Sequence, residues 1–384
     1  MSYDILQVSK RCQEAQSQGF ECINGTVGML FDDDRKLVSF DEVNEYITSN
    51  FTKNLGYASQ LGPEDFKEGT LKRFFGKSYQ KLIEKHNICF APTAGGTGAL
   101  FYAFKAFNKT HTLLMPAPFW PNYTTIAEEA DINFVSYSAF KNNKFDFEEL
   151  QKQIDSIEGN VLLVINDPCQ NPSGYNFSEE EYQALFKILI RYGSKIEFLL
   201  DIAYLDYSPN KNNIVDFIVN SDIKDHFHLL FSTSKSFGFY GLRLGGIISL
   251  FDKNDQENYA KFSKKMMIFT RGIISSPNNV VMNGLALFFK DRVKREIIKQ
   301  KILEETRRVE SIGKMLVETL DKKEIKHSPY SCGFYITFEV EDSAKYLDFL
   351  ESKHVYFSMI DEHNIRIAIC SMNTFDVKKL STIL

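Results

Sequence analysis

Six short apolar runs, spaced along the middle of the chain and separated by longer stretches of helical character, constrain the fold more than any other feature of this sequence. They are Ile88-Cys-Phe-Ala-Pro92, Thr112-Leu-Leu-Met115, Val161-Leu-Leu-Val-Ile165, Ile196-Glu-Phe-Leu-Leu200, His228-Leu-Leu-Phe231 and Gly246-Ile-Ile-Ser-Leu-Phe251. Runs this short, unbroken by polar alternation and bounded by turn residues, suit strands buried on both faces. Between them lie helices with their own signals. Ser178-Glu-Glu-Glu181 is a capping box that opens a helix whose Leu185, Ile188 and Leu189 share one face and which ends at Gly193. Strand and helix in alternation form βαβ units, so the expected fold class is α/β, a doubly wound or related sheet that is mostly parallel.

The pattern changes near Lys290. A long amphipathic helix is expected from about Val293 to Leu320, with Ile297, Ile302, Val309, Ile312 and Leu316 at helical spacing. An alternating strand over Phe334–Phe338, a helix around Tyr346 to Leu350, strands over Val355–Ile360 and Ile365–Ile369, and a final helix follow. That reads as a separate, smaller α+β domain. At the other end, glycines interrupt the apolar segment Ile23-Asn-Gly-Thr-Val-Gly28, where a turn or a close backbone approach is called for.

Composition removes several classes of function. A net charge of −5 gives no basic face for a nucleic acid. The polar, mixed-charge N-terminus has no apolar signal core, and no apolar run approaches the roughly 18 residues of a membrane span, so a cytoplasmic protein is expected. The six cysteines stand singly, without C-x-x-C pairs or histidines at metal-ligand spacing. Reduced thiols and no metal site follow.

In such sheets ligands bind beyond the carboxyl ends of the strands, and the polar clusters fall there. The first run leads to Thr93-Ala-Gly95-Gly96-Thr97-Gly98, glycines at a helix start that expose backbone N–H groups to an anion. The second leads to Pro116-Ala-Pro-Phe-Trp120, which holds the single tryptophan. Asp167-Pro-Cys-Gln-Asn171-Pro-Ser-Gly174 follows the third, and Asp201-Ile-Ala-Tyr204 the fourth. The fifth leads into Ser232-Thr-Ser-Lys235, with Arg243 eight residues after the lysine. Each cluster has a plain structural alternative: a cap, a core tryptophan, a Pro/Gly turn, a solvated loop. Five at five strand ends point together to one ligand. An aromatic phosphate that reacts with an amine needs an anion cradle (Gly96, Thr97, Ser232, Ser234, Arg243) and a stacking surface (Trp120). It also needs an acid at a ring nitrogen (Asp201) and an amine to bond it (Lys235). That describes pyridoxal 5'-phosphate.

With these motifs in this order, the chain resembles the fold type I pyridoxal-phosphate aminotransferases, closest to their aspartate and aromatic (class I) branch, over about Asn24 to Arg366. The resemblance implies a large cofactor domain with a seven-stranded-type sheet over 51–290, a small domain over 291–384, and an N-terminal segment, 1–50, that packs with the small domain. It makes Lys235 the lysine that links to the cofactor and moves the proton at the substrate's Cα. Asn171 and Tyr204 become the partners of the cofactor's phenolic oxygen, and Trp120 the stacking ring. Arg366 would grip the substrate α-carboxylate bidentately, a task that suits arginine, and Val27-Gly28 would close over it. Tyr57 would reach the phosphate of a neighbouring subunit. Arg271, in Arg271-Gly-Ile-Ile-Ser275-Ser-Pro277, would cross a homodimer interface to a distal substrate carboxylate.

Three departures stand out. Tyr123 occupies the position where aspartate aminotransferases often carry a histidine behind the ring-nitrogen aspartate. Gly241-Leu242 precedes Arg243 as in another branch of the fold, and Ser173 replaces the usual threonine of Asn-Pro-Thr-Gly. The expected activity is transfer of an amino group from aspartate, glutamate or an aromatic amino acid to a 2-oxo acid, 2-oxoglutarate above all. A C–S lyase would use the same cofactor residues. A non-catalytic effector-binding module would need a helix-turn-helix, for which about 25 residues before Gly28 leave no room. Gly95-Gly96-Thr97-Gly98 does not match the nicotinamide fingerprint.

Overall fold

The structure, a computed structural model, describes residues 3–209, 211–220 and 227–384. It divides into two compact units that do not follow chain order. One comprises Met1–Val38, Pro168–Asn176 and Lys301–Leu384; the other comprises Ser39–Asp167 and Phe177–Gln300. The loop that carries Asn171 thus clusters with the chain ends, although the strand before it belongs to the other unit.

The larger unit is built on seven strands: β1 (His86–Thr93), β2 (His111–Ala117), β3 (Phe134–Ser138), β4 (Asn160–Asn166), β5 (Ile196–Asp201), β6 (Phe227–Ser232) and β7 (Gly245–Asp252). Their order across the sheet is β1-β7-β6-β5-β4-β2-β3. From β6 to β3 every pairing is parallel. β7 runs antiparallel to both β1 and β6. The six apolar runs all form strands, and β4 to β7 are buried over nearly their whole length, as two covered faces require.

The sheet is seven-stranded and mostly parallel, as expected, with two features that the apolar runs do not announce. The run Gly246–Phe251 is its antiparallel strand. The chain leaves β6 through a five-residue helix, α4 below, and a tight loop rather than a full crossover helix, and so returns in the opposite sense. β3 is an edge strand that the apolar pattern does not announce, because most of its side chains are exposed or half-buried.

Five helices of this unit matter to the site: α1 (Gly95–Phe107), α2 (Asn122–Glu129), α3 (Glu179–Tyr192), α4 (Thr233–Phe237) and α5 (Gln256–Ile273). α1 buries Ala99, Leu100, Tyr102, Ala103 and Phe104 in the main core, with Tyr123, Ile126 and Ala127 of α2 and Phe262 and Met266 of α5. Burying one such large apolar side chain contributes about 1.5–3 kcal/mol, so α1 is anchored firmly with its N-terminus at the end of β1. The capping box at α3 is present in both directions, and Gly193 closes the helix with φ +51°. Within the sheet, His228 bonds Ser249 Oγ (2.7 Å) and Glu197 Oε2 (2.9 Å) across three adjacent strands. Buried against Phe107 and Phe262, His228 ties the three strands together.

The smaller unit holds a three-stranded antiparallel sheet of β8 (Tyr335–Glu339), β9 (Ser358–Met359) and β10 (Asn364–Ala368), in the order β8-β10-β9. β8 is buried at four successive residues rather than alternating. Ile23–Asn24 pairs in parallel with Val355–Tyr356, and the helix Ile5–Ser17 is capped by the Asp4 carboxylate. The long helix runs from Arg292 to Lys322. Along it Ile302, Val309, Ile312 and Leu316 are buried as expected, but Ile297 is 39 % exposed and Ile298 takes the inward position. Among the described residues no helix is long and apolar enough to cross a membrane, and no cluster of side chains could hold a metal ion.

Candidate active site

In the larger unit, the carboxyl ends of β1 and β6 and the start of β7 bring Gly95, Gly96, Ser232, Ser234 and Arg243 together, and Asp201 closes the neighbouring strand β5, whereas Asn171 belongs to the smaller unit. The first turn of α1, Gly95-Gly96-Thr97, has no side-chain cap, which leaves its backbone N–H groups for a ligand. Backbone crowds this point. A Cβ on Gly245 would lie 2.5 Å from the Phe231 carbonyl oxygen and 2.8 Å from the Gly96 nitrogen, and one on Gly96 would sit 3.4 Å from Ser232 Cβ. Gly95 has φ +73° and its missing side chain makes way for the Arg243 guanidinium. Ser232, the last residue of β6, accepts from the Ser234 N–H (3.2 Å), and Arg243 donates to Ser234 Oγ (3.3 Å) and the Tyr240 carbonyl (2.9 Å). Helix N-terminus, two hydroxyls and a guanidinium are the groups that hold a phosphate.

Lys235 stands on the short helix α4, half-buried, with Nζ 4.8 Å from the ring centre of Tyr240 and 5.7 Å from that of Tyr204. Tyr207 fixes the backbone beneath it by donating to the Lys235 carbonyl (3.1 Å). Asp201 closes β5. One of its carboxylate oxygens accepts from the Ala203 N–H (3.1 Å) and the other from the Tyr123 hydroxyl (2.8 Å), while Asn166 Nδ2 bonds its carbonyl (2.9 Å). Burial pushes the Asp201 carboxyl up to about 6, and the two donors pull it down. Burial also holds the Tyr123 phenol well above its ordinary range, so it is a protonated donor. Trp120 packs edge-on to Tyr123, with ring centres 5.9 Å apart. An acid, a flat indole, a lysine amine and an anion cradle fit pyridoxal phosphate part by part.

The smaller unit contributes a second cluster. Arg366 on β10 is only 3 % exposed. It donates to Asn171 Oδ1 (3.0 Å) and to the Thr26 carbonyl (3.1 Å), and its guanidinium lies 4.5 Å from the ring centre of Tyr335. Its Nε has no partner, and no carboxylate forms an ion pair with it among the described residues. Gly28 faces Tyr335 so closely that a Cβ there would collide with the phenolic hydroxyl. The Asn171 loop is itself braced, with Thr337 Oγ1 donating to the Pro172 carbonyl (2.9 Å) and Ser328 Oγ to the Ser173 carbonyl (3.1 Å).

The two residues expected at a subunit interface behave differently. Tyr57 is 89 % exposed and Arg271 is exposed, with its guanidinium donating to Ser275 Oγ (3.0 Å). The segment around Tyr57 is nevertheless fixed: the Ala58 N–H donates to Ser276 Oγ (2.8 Å), and Asn279 Nδ2 donates to the carbonyls of Asn54 and Gly56. Thr26, Tyr207 and Tyr335 are site residues that the sequence pattern does not single out. No motif sets Tyr335 or Tyr207 apart from the other tyrosines, and Thr26 acts through its backbone.

Comparison with known proteins agrees with the geometry. The family model for "Aminotransferase class I and II" matches residues 26–384. The chain is 26% identical over 311 residues to the aspartate aminotransferase of Salmonella typhi, covering 78% of this chain and 77% of that one. It is 24% identical over 376 residues to the mitochondrial aspartate aminotransferase of Dictyostelium discoideum, covering 94% and 85%. Among solved structures, an aminotransferase from Anaerococcus prevotii superposes with a TM-score of 0.87 at 22% identity, covering 98% of this chain and 94% of that one. The Burkholderia pseudomallei aromatic-amino-acid aminotransferase, solved covalently bound to pyridoxal phosphate, superposes with a TM-score of 0.81 at 20% identity, covering 98% and 95%. With the match running from residue 26 to 384, the chain belongs to the aminotransferase class I and II family and is a pyridoxal-phosphate-dependent transaminase.

Proposed function

We propose that this transaminase takes its amino group from an acidic amino acid, aspartate or glutamate, delivers it to a 2-oxo acid, which is 2-oxoglutarate when aspartate is the donor, and works as a homodimer with shared active sites. The observation that carries the reading is Arg366. A guanidinium buried to 3 % exposure, with no carboxylate partner among the described residues, is an unfavourable arrangement unless a ligand supplies the anion. Every amino acid and 2-oxo acid brings an α-carboxylate of the right shape for two parallel N–H bonds.

Bound cofactor supplies an electron sink for the carbanion formed at the substrate's Cα. The chain's own residues do the rest. Lys235 Nζ would be the amine that holds the cofactor and the base that takes and returns the Cα proton. Asp201, held by Tyr123 and Ala203, would keep the ring nitrogen protonated. Gly96, Thr97, Ser232, Ser234 and Arg243 would hold the phosphate, Trp120 would stack on the ring, and Asn171 and Tyr204 would bond its phenolic oxygen. Asn171 also orients Arg366, and Gly28 closes over the carboxylate that Arg366 grips.

Arg271 supports the acidic substrate and Tyr57 the dimer. Both are exposed in one subunit, as residues that serve the neighbour's site must be, and the Tyr57 segment is pinned in place before any partner arrives. Around them Leu55, Met267, Ile268 and Ile273 are exposed apolar side chains, which an interface would cover. The relatives are named as aminotransferases, which favours transamination over elimination.

The test is the visible spectrum of the holoenzyme before and after glutamate, aspartate, phenylalanine or cysteine is added singly. Conversion to the amino form of the cofactor by the acidic donors, reversed by 2-oxoglutarate, is the expected result. Equal conversion by phenylalanine would widen the substrate class. Ammonia release with cysteine alone, and no conversion by the others, would refute the proposal.

A further inference from the structure

Behind the acid at the end of β5, this chain carries a phenol where its relatives often carry an imidazole. Tyr123 lies in the first turn of α2, 2 % exposed, and is held from several sides: its N–H bonds the Trp120 carbonyl (2.9 Å) and its ring packs edge-on to Phe104. It therefore has one place to put its hydroxyl, and that place is Asp201 Oδ2 at 2.8 Å. The groups that bear on the carboxylate are this phenol on α2 and the backbone N–H of Ala203 after β5. Tyr204 and Lys235 are the neighbouring titratable side chains of the same site.

We propose that Tyr123 is the positioning residue that keeps Asp201 ionised and aimed for the cofactor's ring nitrogen, and that its neutral phenol leaves Asp201 as the acid-sensitive contact to that nitrogen. The physical difference from an imidazole is direct. A histidine gains a positive charge as the pH falls through its ordinary range and would then attract the carboxylate more strongly. A phenol offers one uncharged hydrogen bond at every pH below its own ionisation. Burial raises the Asp201 carboxyl, and nothing but the two donors opposes that rise. In acid the carboxylate takes a proton, its charge toward a protonated ring nitrogen disappears, and affinity falls.

Removing the hydroxyl without disturbing the packing isolates the effect. In Tyr123→Phe the carboxyl loses a hydrogen bond to its charged form, which moves its titration upward by about one pH unit. The assay is equilibrium binding of pyridoxal phosphate to the apo-protein across pH 5 to pH 9, read from quenching of Trp120, the single tryptophan. The pH midpoint of affinity should be highest in Tyr123→Phe, lower in wild type and lowest in Tyr123→His. Below the midpoint Tyr123→Phe should bind about tenfold more weakly than wild type. A cofactor analogue that lacks the ring nitrogen should bind wild type and Tyr123→Phe alike, whereas loss of packing would weaken both ligands.

A Tyr123→Phe midpoint at or below the wild-type value, or equal weakening of both ligands, would overturn the assignment. Should that variant not fold, Tyr123→His decides: a midpoint at or above wild type overturns it, and one below wild type supports it. The inference rests on the cofactor reading, and the failures separate. No quenching in the wild-type apo-protein sinks that reading, while normal wild-type binding with an unshifted Tyr123→Phe removes only the role of Tyr123.

Discussion

Replacing Arg366 by methionine should separate catalysis from stability. A bidentate guanidinium–carboxylate contact is two charge-assisted hydrogen bonds, each about 1.5–3 kcal/mol. Their loss should lower kcat/KM by about 10²–10⁴-fold for every amino acid tested, because all share the α-carboxylate. The resting protein should respond differently. Arg366 is 3 % exposed and has no acidic partner among the described residues, so its removal relieves a desolvated charge, while Asn171 Oδ1 and the Thr26 carbonyl each lose a donor. Those changes oppose one another at about 1–3 kcal/mol per group, and the Tm of the ligand-free variant should move little. A non-reacting dicarboxylate such as succinate then discriminates. At a hundred times its Kd a ligand stabilises the native state by about 2.7 kcal/mol, so the wild-type Tm should climb and the variant's should not. A variant that keeps kcat/KM within tenfold of wild type, or that succinate still stabilises, would refute the assignment of Arg366.

Lys235→Ala should lose about 10²–10⁴-fold in turnover from proton transfer alone, while cofactor still quenches Trp120; wild-type turnover would remove Lys235 from the chemistry. Arg271→Ala in the holoenzyme should raise KM for aspartate and glutamate about tenfold or more and leave phenylalanine nearly unchanged, and equal effects on all three would mark Arg271 as structural. Asp201→Asn should stabilise the apo-protein at pH 8. The carboxyl of Asp201 titrates near 6 in the folded protein, above its value in the unfolded chain, so it favours folding below about pH 4 and that contribution is lost as the pH rises through 6. The gain at pH 8 is about 2–3 kcal/mol, and should vanish at pH 4; urea midpoints at the two pH values that shifted alike would contradict the burial argument.

Much of this was legible in the sequence because the relevant signals are local. An apolar run bounded by turns needs no tertiary knowledge to be placed as a strand, and Ser178 with Glu181 announces its helix by two hydrogen bonds within one turn. The edge strand Phe134–Ser138 escaped for the converse reason: mostly solvated, it carries no apolar run. The direction of β7 and the inward turn of Ile298 instead of Ile297 depend on how the chain returns and packs. The site divides in the same way. Lys235, Arg243 and Asp201 stand out as chemistry in short motifs. Tyr335 and the carbonyl of Thr26 are recruited by Arg366 from distant parts of the chain, 31 and 340 residues away in sequence, and no spacing rule points to them. Tyr123 was visible as a departure, but its partner emerged only when α2 and β5 were placed side by side.

The pairing of Ile23–Asn24 with Val355–Tyr356 has a consequence for how the molecule is made. On a ribosome the first strand waits while more than three hundred residues are synthesised before its partner emerges, and the Pro168–Asn176 loop waits with it. Domains generally fold as units as they appear, so the core of Ser39–Asp167 and Phe177–Gln300 can collapse early around its sheet while the unit that holds Arg366 stays an unfinished, exposed set of fragments. Truncation near the C-terminus should therefore be felt at the N-terminus, and nascent chains stalled before residue 355 should remain open to proteolysis within their first forty residues while the sheet is already resistant.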